Sequence, residues 1–362
     1  MAFKGIDLFC GGGGSSWGAR NAGVEMVGAV DAWDIATATY EDNFPTAKGN
    51  VVTARLDDAS GPKIFPKQLG KIDLVIASPE CTHHSIARGA KPPDEESRRS
   101  GWYVMGFIEK LKPRWVVLEN VTPMSGWPGF DDLLGRLKRT LKGVKTFRLD
   151  ASEFGVPQSR KRLFIVCDRE RNLDDFAIGG QVRSTRFAVS ARSILDPKRA
   201  WTADDLFRPG RAGSTVQRAK AAIEELGEGK DFLIVYYGSD KAGGWQRLDR
   251  PLRTITTLDR FGLVQWRRGT PTLRMLQVPE LQRAMGLEPG PDGREFRLEH
   301  GTRRDKVKLL GNGVCAPVME RVVLSLTDGA TLEARQALAN RPRSREVRPG
   351  NHAVESPPEY WM

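Results

Sequence analysis

Four consecutive glycines, Gly11-Gly12-Gly13-Gly14, follow the short run Ile6-Asp7-Leu8-Phe9 and Cys10. Residues 15–22 then carry a helical pattern closed by Gly23. A strand that ends in a glycine turn and opens a helix offers backbone N–H groups to a ligand. Glycine lets the main chain come close, and the first helical N–H groups have no partner within the helix. This stretch therefore points to an α/β chain with a cofactor cradle beyond its first strand. The spacing is not G-x-G-x-x-G, so a nicotinamide cofactor is not specified. A plain flexible turn is the competing reading, and four glycines directly after a strand weigh against it.

Residues 24–31, VEMVGAVD, form a second strand ending in Asp31, placed about 20 residues past the glycine turn to accept hydrogen bonds from ribose hydroxyls. Trp33 is positioned to pack against an adenine ring. As a cap for the helix over 35–44, Asp31 is a poorer choice than Asp34. For an adenine amino group Asn50, Asp57 and Asp58 are all candidates, and the sequence does not choose among them.

Residues 71–88, KIDLVIASPECTHHSIAR, give a buried strand of the parallel type, stopped by Ser78-Pro79. Ligands of open α/β sheets lie beyond the carboxyl ends of strands, which makes Cys81 a candidate nucleophile; a small buried hydrophobe is the alternative. Residues 88–101 are charged and hold two prolines, as lids and ordinary solvated loops both do. A helix over 102–111 ends at Pro113, and a strand over 115–118 delivers Glu119-Asn120-Val121 to the same sheet edge as Cys81. A helix over 130–141 and a strand over 146–151 follow. FGVPQSRKR, residues 154–162, leads into a strand over 163–167 and brings Gln158, Arg160 and Arg162 to the mouth of the sheet. Alternation puts the two arginines on one side of that segment.

The 362 residues suffice for one large or two modest domains. No run of about 18 apolar residues suggests a membrane span, and the amino-terminal residues lack a signal-peptide layout, so a cytoplasmic protein is the default. Cys10, Cys81, Cys167 and Cys315 are far apart, which fits a reducing compartment and no disulfide framework. Cys81-x-His83-His84 lacks a second pair of ligands, so no metal site is expected. The net charge of +11, concentrated at residues 136–145, 160–162 and 341–348, favours a polyanionic partner. From 169 to 245 the chain looks irregular, with one clear helix over 216–226 and a strand over 232–237, and too few apolar residues for a second large core. RPLRTITT, residues 250–257, opens another ordered stretch. A helix over 279–285 is followed by a G-N-G turn and helix within 309–323, and residues 334–362 have the composition of a disordered tail.

Taken in order, these pieces resemble the cytosine-5 DNA methyltransferases over residues 6–323. Phe9-Cys10-Gly11-Gly12-Gly13 resembles the family's F-x-G-x-G motif, Ser78-Pro79-Glu80-Cys81 its nucleophile motif, Glu119-Asn120-Val121 its E-N-V, and Gln158-Ser159-Arg160-Lys161-Arg162 its Q-x-R-x-R. Residues 250–257 and Gly311-Asn312-Gly313-Val314 resemble the ninth and tenth motifs. Asp31 matches the acid that holds the ribose of S-adenosylmethionine; each match is weak alone, and seven in order are strong. Two departures stand out: Glu80 and Thr82 flank the cysteine where the family has proline and glutamine. Glu80 would raise the Cys81 thiol's pKa by like-charge repulsion.

The resemblance implies a doubly wound Rossmann-like methyltransferase sheet with a small, irregular target-recognition domain. Residues 1–170 and 271–330 would form the catalytic domain, 171–270 the recognition region and 331–362 a basic tail. It implies S-adenosylmethionine as cofactor, held by Phe9, Gly11, Gly13, Asp31, Trp33, Asn50, Pro79 and Asn312. Cys81, Glu119, Arg160 and Arg162 would be catalytic, and Ser85, Asn120 and Gln158 would contact the substrate. The implied partner is double-stranded DNA, with a restriction endonuclease of the same site as a further candidate. A monomer of bacterial or phage origin is the expectation.

Overall fold

Short apolar runs ending at glycine, proline or acidic residues become the strands of one central sheet. The structure, a computed structural model, describes residues 2–79, 100–179, 188–237 and 244–327. Phe3–Leu8 (β1), Val24–Asp31 (β2), Val51–Thr53 (β3), Leu74–Ala77 (β4) and Trp115–Val121 (β5) run parallel, and Gly143–Asp150 (β6) and Lys161–Asp168 (β7) complete the sheet in the order β3-β2-β1-β4-β5-β7-β6. β7 runs antiparallel to both β5 and β6, so its first residues arrive at the edge where β5 ends, with Val121 opposite Arg162.

Both faces of the sheet are covered, and the strands alternate between two cores. Leu74 and Ile76 of β4 belong to one core, Val75 and Ala77 to the other. The first core lies under helices Gly14–Asn21 (α1) and Asp34–Asn43 (α2). The second lies under the turn Ser100–Tyr103 (α3) with Met105–Leu111 (α4), and under Phe130–Thr140 (α5). The doubly wound arrangement expected from the sequence is present, and the helix expected over 102–111 forms as two pieces.

The region that looks irregular carries a second, five-stranded antiparallel sheet. Asp204–Asp205 (β8), Phe232–Val235 (β9), Trp245–Arg247 (β10), Phe261–Arg267 (β11) and Thr270–Met275 (β12) stand in the order β10-β9-β11-β12-β8. One face holds a small core in which Ala219 and Ala222 of helix Gly213–Leu226 (α6) meet Phe232, Ile234, Val264 and Leu273. Leu233, Val235, Phe261 and Leu263 on the other face join the main core. Edge strands of two and three residues are too short to show alternation, which hid this sheet. The β11–β12 hairpin turns through Arg268 at φ 48° and Gly269 at φ 80°, the pair of positive angles that matches strand twist.

Three helices close the fold: Val278–Ala284 (α7), Arg303–Asn312 (α8) and Ala316–Leu326 (α9). α8 was missed by periodicity, although Thr302 and Asp305 form a reciprocal capping box at its start. Gly311 and Asn312 are its last residues rather than a free turn, and a Cβ on Gly311 would lie 2.3 Å from Thr256 O. Residues 303–326 are apolar enough to pass for a membrane span, but 72% of that window is buried and the stretch is broken at 313–315. These are core helices. Two glycines of α1 let it approach their backbone: a Cβ on Gly14 would sit 2.6 Å from Val314 O, and one on Gly18 2.3 Å from Ala316 O. Cys81, Ser85, residues 80–99 of the candidate lid and the tail expected over 331–362 lie outside the described residues.

Beneath the glycine turn, Asp7 of β1 is fully buried. Its Oδ2 accepts from Ser16 Oγ at 2.7 Å, Ser16 Oγ lies 2.8 Å from Tyr40 Oη, and Oδ1 has no partner. Burial raises this carboxyl to about 7, against the opposing Ser16 hydrogen bond. The native state thus holds a proton that the unfolded chain has released. That stabilisation is complete below the ordinary carboxylate range and lost as pH rises through about 7. Between about pH 5.5 and pH 8 the loss should be about 2 kcal/mol. Denaturant titrations across that range should show the decline in the wild type and a flatter profile in Asp7→Asn; equal slopes would contradict the assignment.

Candidate active site

The cofactor end is built where β1 and β2 finish. Phe9 has φ 58°, a left-handed angle that a bulky residue adopts only when its surroundings impose it. Gly11 and Gly13 follow at φ 50° and 95°, and Gly13 caps α1. Asp31 anchors the turn: Oδ2 accepts from Gly11 N–H at 2.8 Å and Oδ1 from Trp33 N–H at 2.9 Å. The glycines do different work. Gly11 faces open space, with no atom within 4 Å of a Cβ built there, whereas a Cβ on Gly13 would meet the Phe44 ring at 2.5 Å. Trp33 packs one side against the main core, and Lys308 Nζ stands 4.0 Å from its ring centroid. An open glycine, a carboxylate that orders the turn and a half-buried indole at one sheet edge suit a nucleoside-type cofactor such as S-adenosylmethionine.

Asn50 directly precedes β3, and its Oδ1 accepts from Lys67 N–H at 2.8 Å. Asp57 and Asp58, the alternatives, lie in the turn after β3. Asn312 is exposed at the end of α8. Pro79 is buried just past β4.

The second half of the site sits at the end of β5. Glu119 is 6% exposed and pairs with Arg162, whose Nε is 3.1 Å from Oε1. The register explains the contact: Glu119 faces Phe164, two residues from Arg162, so both side chains leave one face of the sheet. Burial raises the Glu119 carboxyl, opposed by Arg162, then Arg160 and a hydrogen bond from Ser78. A carboxyl that keeps its proton can donate it to a ring nitrogen.

The neighbouring residues expected at the substrate also brace the site. Asn120 donates from Nδ2 to Pro79 O at 3.2 Å and accepts from Val121 N–H, fastening the chain ahead of Cys81 to β5. Gln158 is fully buried; its Nε2 donates to Ala284 O at 2.9 Å and its Oε1 accepts from Ile255 N–H at 2.8 Å. Their motif positions carried no sign of burial, and only the fold shows it. Arg160 donates from Nη1 to Ile255 O and from Nη2 to Gly311 O and Gly313 O, at 2.7–2.9 Å. It ties β7 to the segment before β11 and to the end of α8. Asp150, not singled out in the sequence, accepts from Arg160 N–H and Ser159 Oγ and so fixes this approach to β7.

A parallel-dominated sheet of this order, with an acid at the end of β2 and a buried carboxyl near the end of β5, defines a Rossmann-like methyltransferase. Residues 3–328 match the family model described as C-5 cytosine-specific DNA methylase, and the chain belongs to that family, whose methyl donor is S-adenosylmethionine. It is 31% identical over 258 residues to Type II methyltransferase M.HgiDI of Herpetosiphon aurantiacus, covering 69% of this chain and 80% of that protein. It is 34% identical over 169 residues to M.AgeI of Thalassovita gelatinovora, covering 45% of this chain and 38% of M.AgeI, well under two thirds of that relative's length. Among solved structures, the S. pombe Dnmt2 methyltransferase superposes with a TM-score of 0.62 at 17% identity, covering 91% of this chain and 99% of that one. That likeness concerns the fold.

Three cysteines are described, and all are buried. Burial pushes the thiols of Cys10 and Cys167 far up and that of Cys315 to about 11. Iodoacetamide at about pH 7.5 should leave Cys10, Cys167 and Cys315 unmodified in the native protein and reach them in denaturant, as read by peptide mass spectrometry. Native modification of any of the three would contradict the packing.

Proposed function

We propose that this chain methylates C5 of cytosine in duplex DNA, with Cys81 as nucleophile. The single observation behind the reading is the buried Glu119–Arg162 pair at the end of β5, on the sheet edge that also carries Asp31. Bound S-adenosylmethionine supplies an electrophilic methyl group beside the glycine turn. Cytosine C5 is a poor nucleophile until a thiolate adds to C6 and turns the ring into an enamine. Cys81 forms that bond, while Glu119 delivers a proton to N3 and draws off the charge that develops there. Arg162 holds Glu119 in place and faces O2; Arg160 supports the loop through its three carbonyl contacts. After loss of the C5 proton the Cys81–C6 bond breaks and product leaves.

A stacked base is out of reach, so the cytosine must leave the helix at a cost of a few kcal/mol. Residues 171–270, with the five-stranded sheet, are assigned to reading base edges, and the basic segments to phosphate. The Type II names of the relatives favour a modification role in a bacterial cell, with a restriction endonuclease of the same site as partner. A monomer on DNA is the assembly we assign.

Incubation with labelled S-adenosylmethionine and unmodified duplex DNA, followed by digestion to nucleosides, should yield 5-methylcytosine. DNA binding without any C5-modified cytosine would overturn the reading. Cys81→Ser should abolish both turnover and covalent trapping on a 5-fluorocytosine duplex; trapping that persists would remove Cys81 from the role.

A further inference from the structure

We infer that Ser78 is a positioning residue for Glu119, and that it forms, with Ser15, a hydroxyl bridge from the cofactor helix to the base-gripping carboxyl. The inference deepens the methyltransferase reading and rests on it. Ser78 is the first residue past β4, three positions before Cys81 in the sequence. It alternates with Leu74 and Ile76, which face the main core, and so leaves the sheet on the side from which Glu119 projects. The register that pairs Ala77 with Leu118 sets Ser78 beside Glu119 on the neighbouring strand, within reach of a hydrogen bond that lowers the Glu119 carboxyl. On its other side, Ser15 Oγ of α1 stands 3.4 Å from Ser78 Oγ. Ser15 is 4% exposed and follows Gly14 directly, so the bridge starts at the glycine turn.

The chemistry follows from what a hydroxyl can do. It carries one donor and two acceptor sites and rotates between them. With its proton turned to Glu119, Ser78 favours the ionised carboxylate. With Ser15 donating to it, that bond is strengthened, because chained hydroxyls polarise one another. Arg162 at 3.1 Å and the more distant Arg160 act in the same sense, from β7 and its approach. Two further titratable groups face this cluster: the Cys315 thiol at the start of α9, and Asp150, whose carboxylate is occupied by Arg160 N–H and Ser159. Burial pulls the other way and favours the protonated form of Glu119. Ser78 thus lowers the pH at which Glu119 gives up its proton, and it keeps the carboxyl pointed where Arg162 can hold it.

Glu119 must be protonated to serve N3, so its ionisation shapes the alkaline limb of the rate profile, and Cys81 the acid limb. Removing Ser78 deletes a group that favours the carboxylate. The alkaline limb should therefore move to higher pH, while loss of order lowers the plateau. The test is single-turnover methylation across about pH 5.5–9.5 for wild type, Ser78→Ala and Ser15→Ala. Alongside it runs the carbon-13 carboxyl titration of the protein labelled at glutamate Cδ, with the Glu119 signal identified by its absence in Glu119→Gln. Ser78→Ala should lower the plateau several-fold and displace both the alkaline limb and the Glu119 titration upward. Ser15→Ala should displace both in the same direction, by less. A lowered plateau with an unmoved limb and titration, or movement to lower pH, overturns the inference. Ser78→Thr, which keeps a hydroxyl, should restore the wild-type limb and serves if Ser78→Ala fails to fold. Absence of methylation in the wild type would sink the functional reading alone, because the carboxyl titration still decides whether the hydroxyl bond exists.

Discussion

A buried carboxyl held by one guanidinium is the interaction on which this architecture turns. Glu119 lies at the end of a parallel strand, and a parallel neighbour would present its own carboxyl-terminal residues there. β7 instead enters the sheet in the opposite direction and brings the residues that precede it to the same edge. The reversal is what lets QSRKR, a segment leading into a strand, meet ENV, a segment at the end of one. Without Arg162, burial would leave Glu119 with only the more distant Arg160 to offset its charge, at a cost that poorly paired buried charges escape by taking up a proton. With it, burial and the guanidinium pull the carboxyl in opposite directions.

Much of the catalytic half was legible because its signals are local. Ile72, Leu74, Val75 and Ile76 announce a strand, Ser78-Pro79 its end, and the glycines after Leu8 a turn that no other residue type fills as easily. What the residues do was less legible. Asn120 and Gln158 stand inside motifs and look poised for substrate, and their amides also bond Pro79 O, Ala284 O and Ile255 N–H. Partners 41 to 126 residues away leave no trace in a linear pattern. The second sheet was hidden by its own brevity, since β8 and β10 offer two and three residues to read.

The recognition sheet is fastened to the catalytic body by polar groups as well as by the shared core. Arg274 of β12 makes a two-pronged pair with Glu280 of α7, at 2.7 and 2.6 Å, and both are buried. Gln277 N–H and Asp196 N–H donate to the same carboxylate, so its lone pairs are met. Arg303 reaches Asp259 and Leu276 O from α8. Gln158 and Arg160 do the same work from β7's approach, at Ile255. The five-stranded sheet is thereby set at a fixed attitude to the Glu119–Arg162 pair, and the two sheets share one frame.

The glycine helix α1 and the last described helix, α9, meet at backbone distance through Gly14 and Gly18, although they stand about 300 residues apart in the chain. During translation α1 leaves the ribosome about 300 residues ahead of its seat. At a synthesis rate of about 5–20 residues per second, the interval between them is tens of seconds. Through that interval Gly14 and Gly18 lack the backbone they pack against, while Ser16 already has Asp7 and Tyr40. The methyl-donor turn matures only when synthesis has passed residue 326, and a nascent chain shorter than that carries an unfinished pocket.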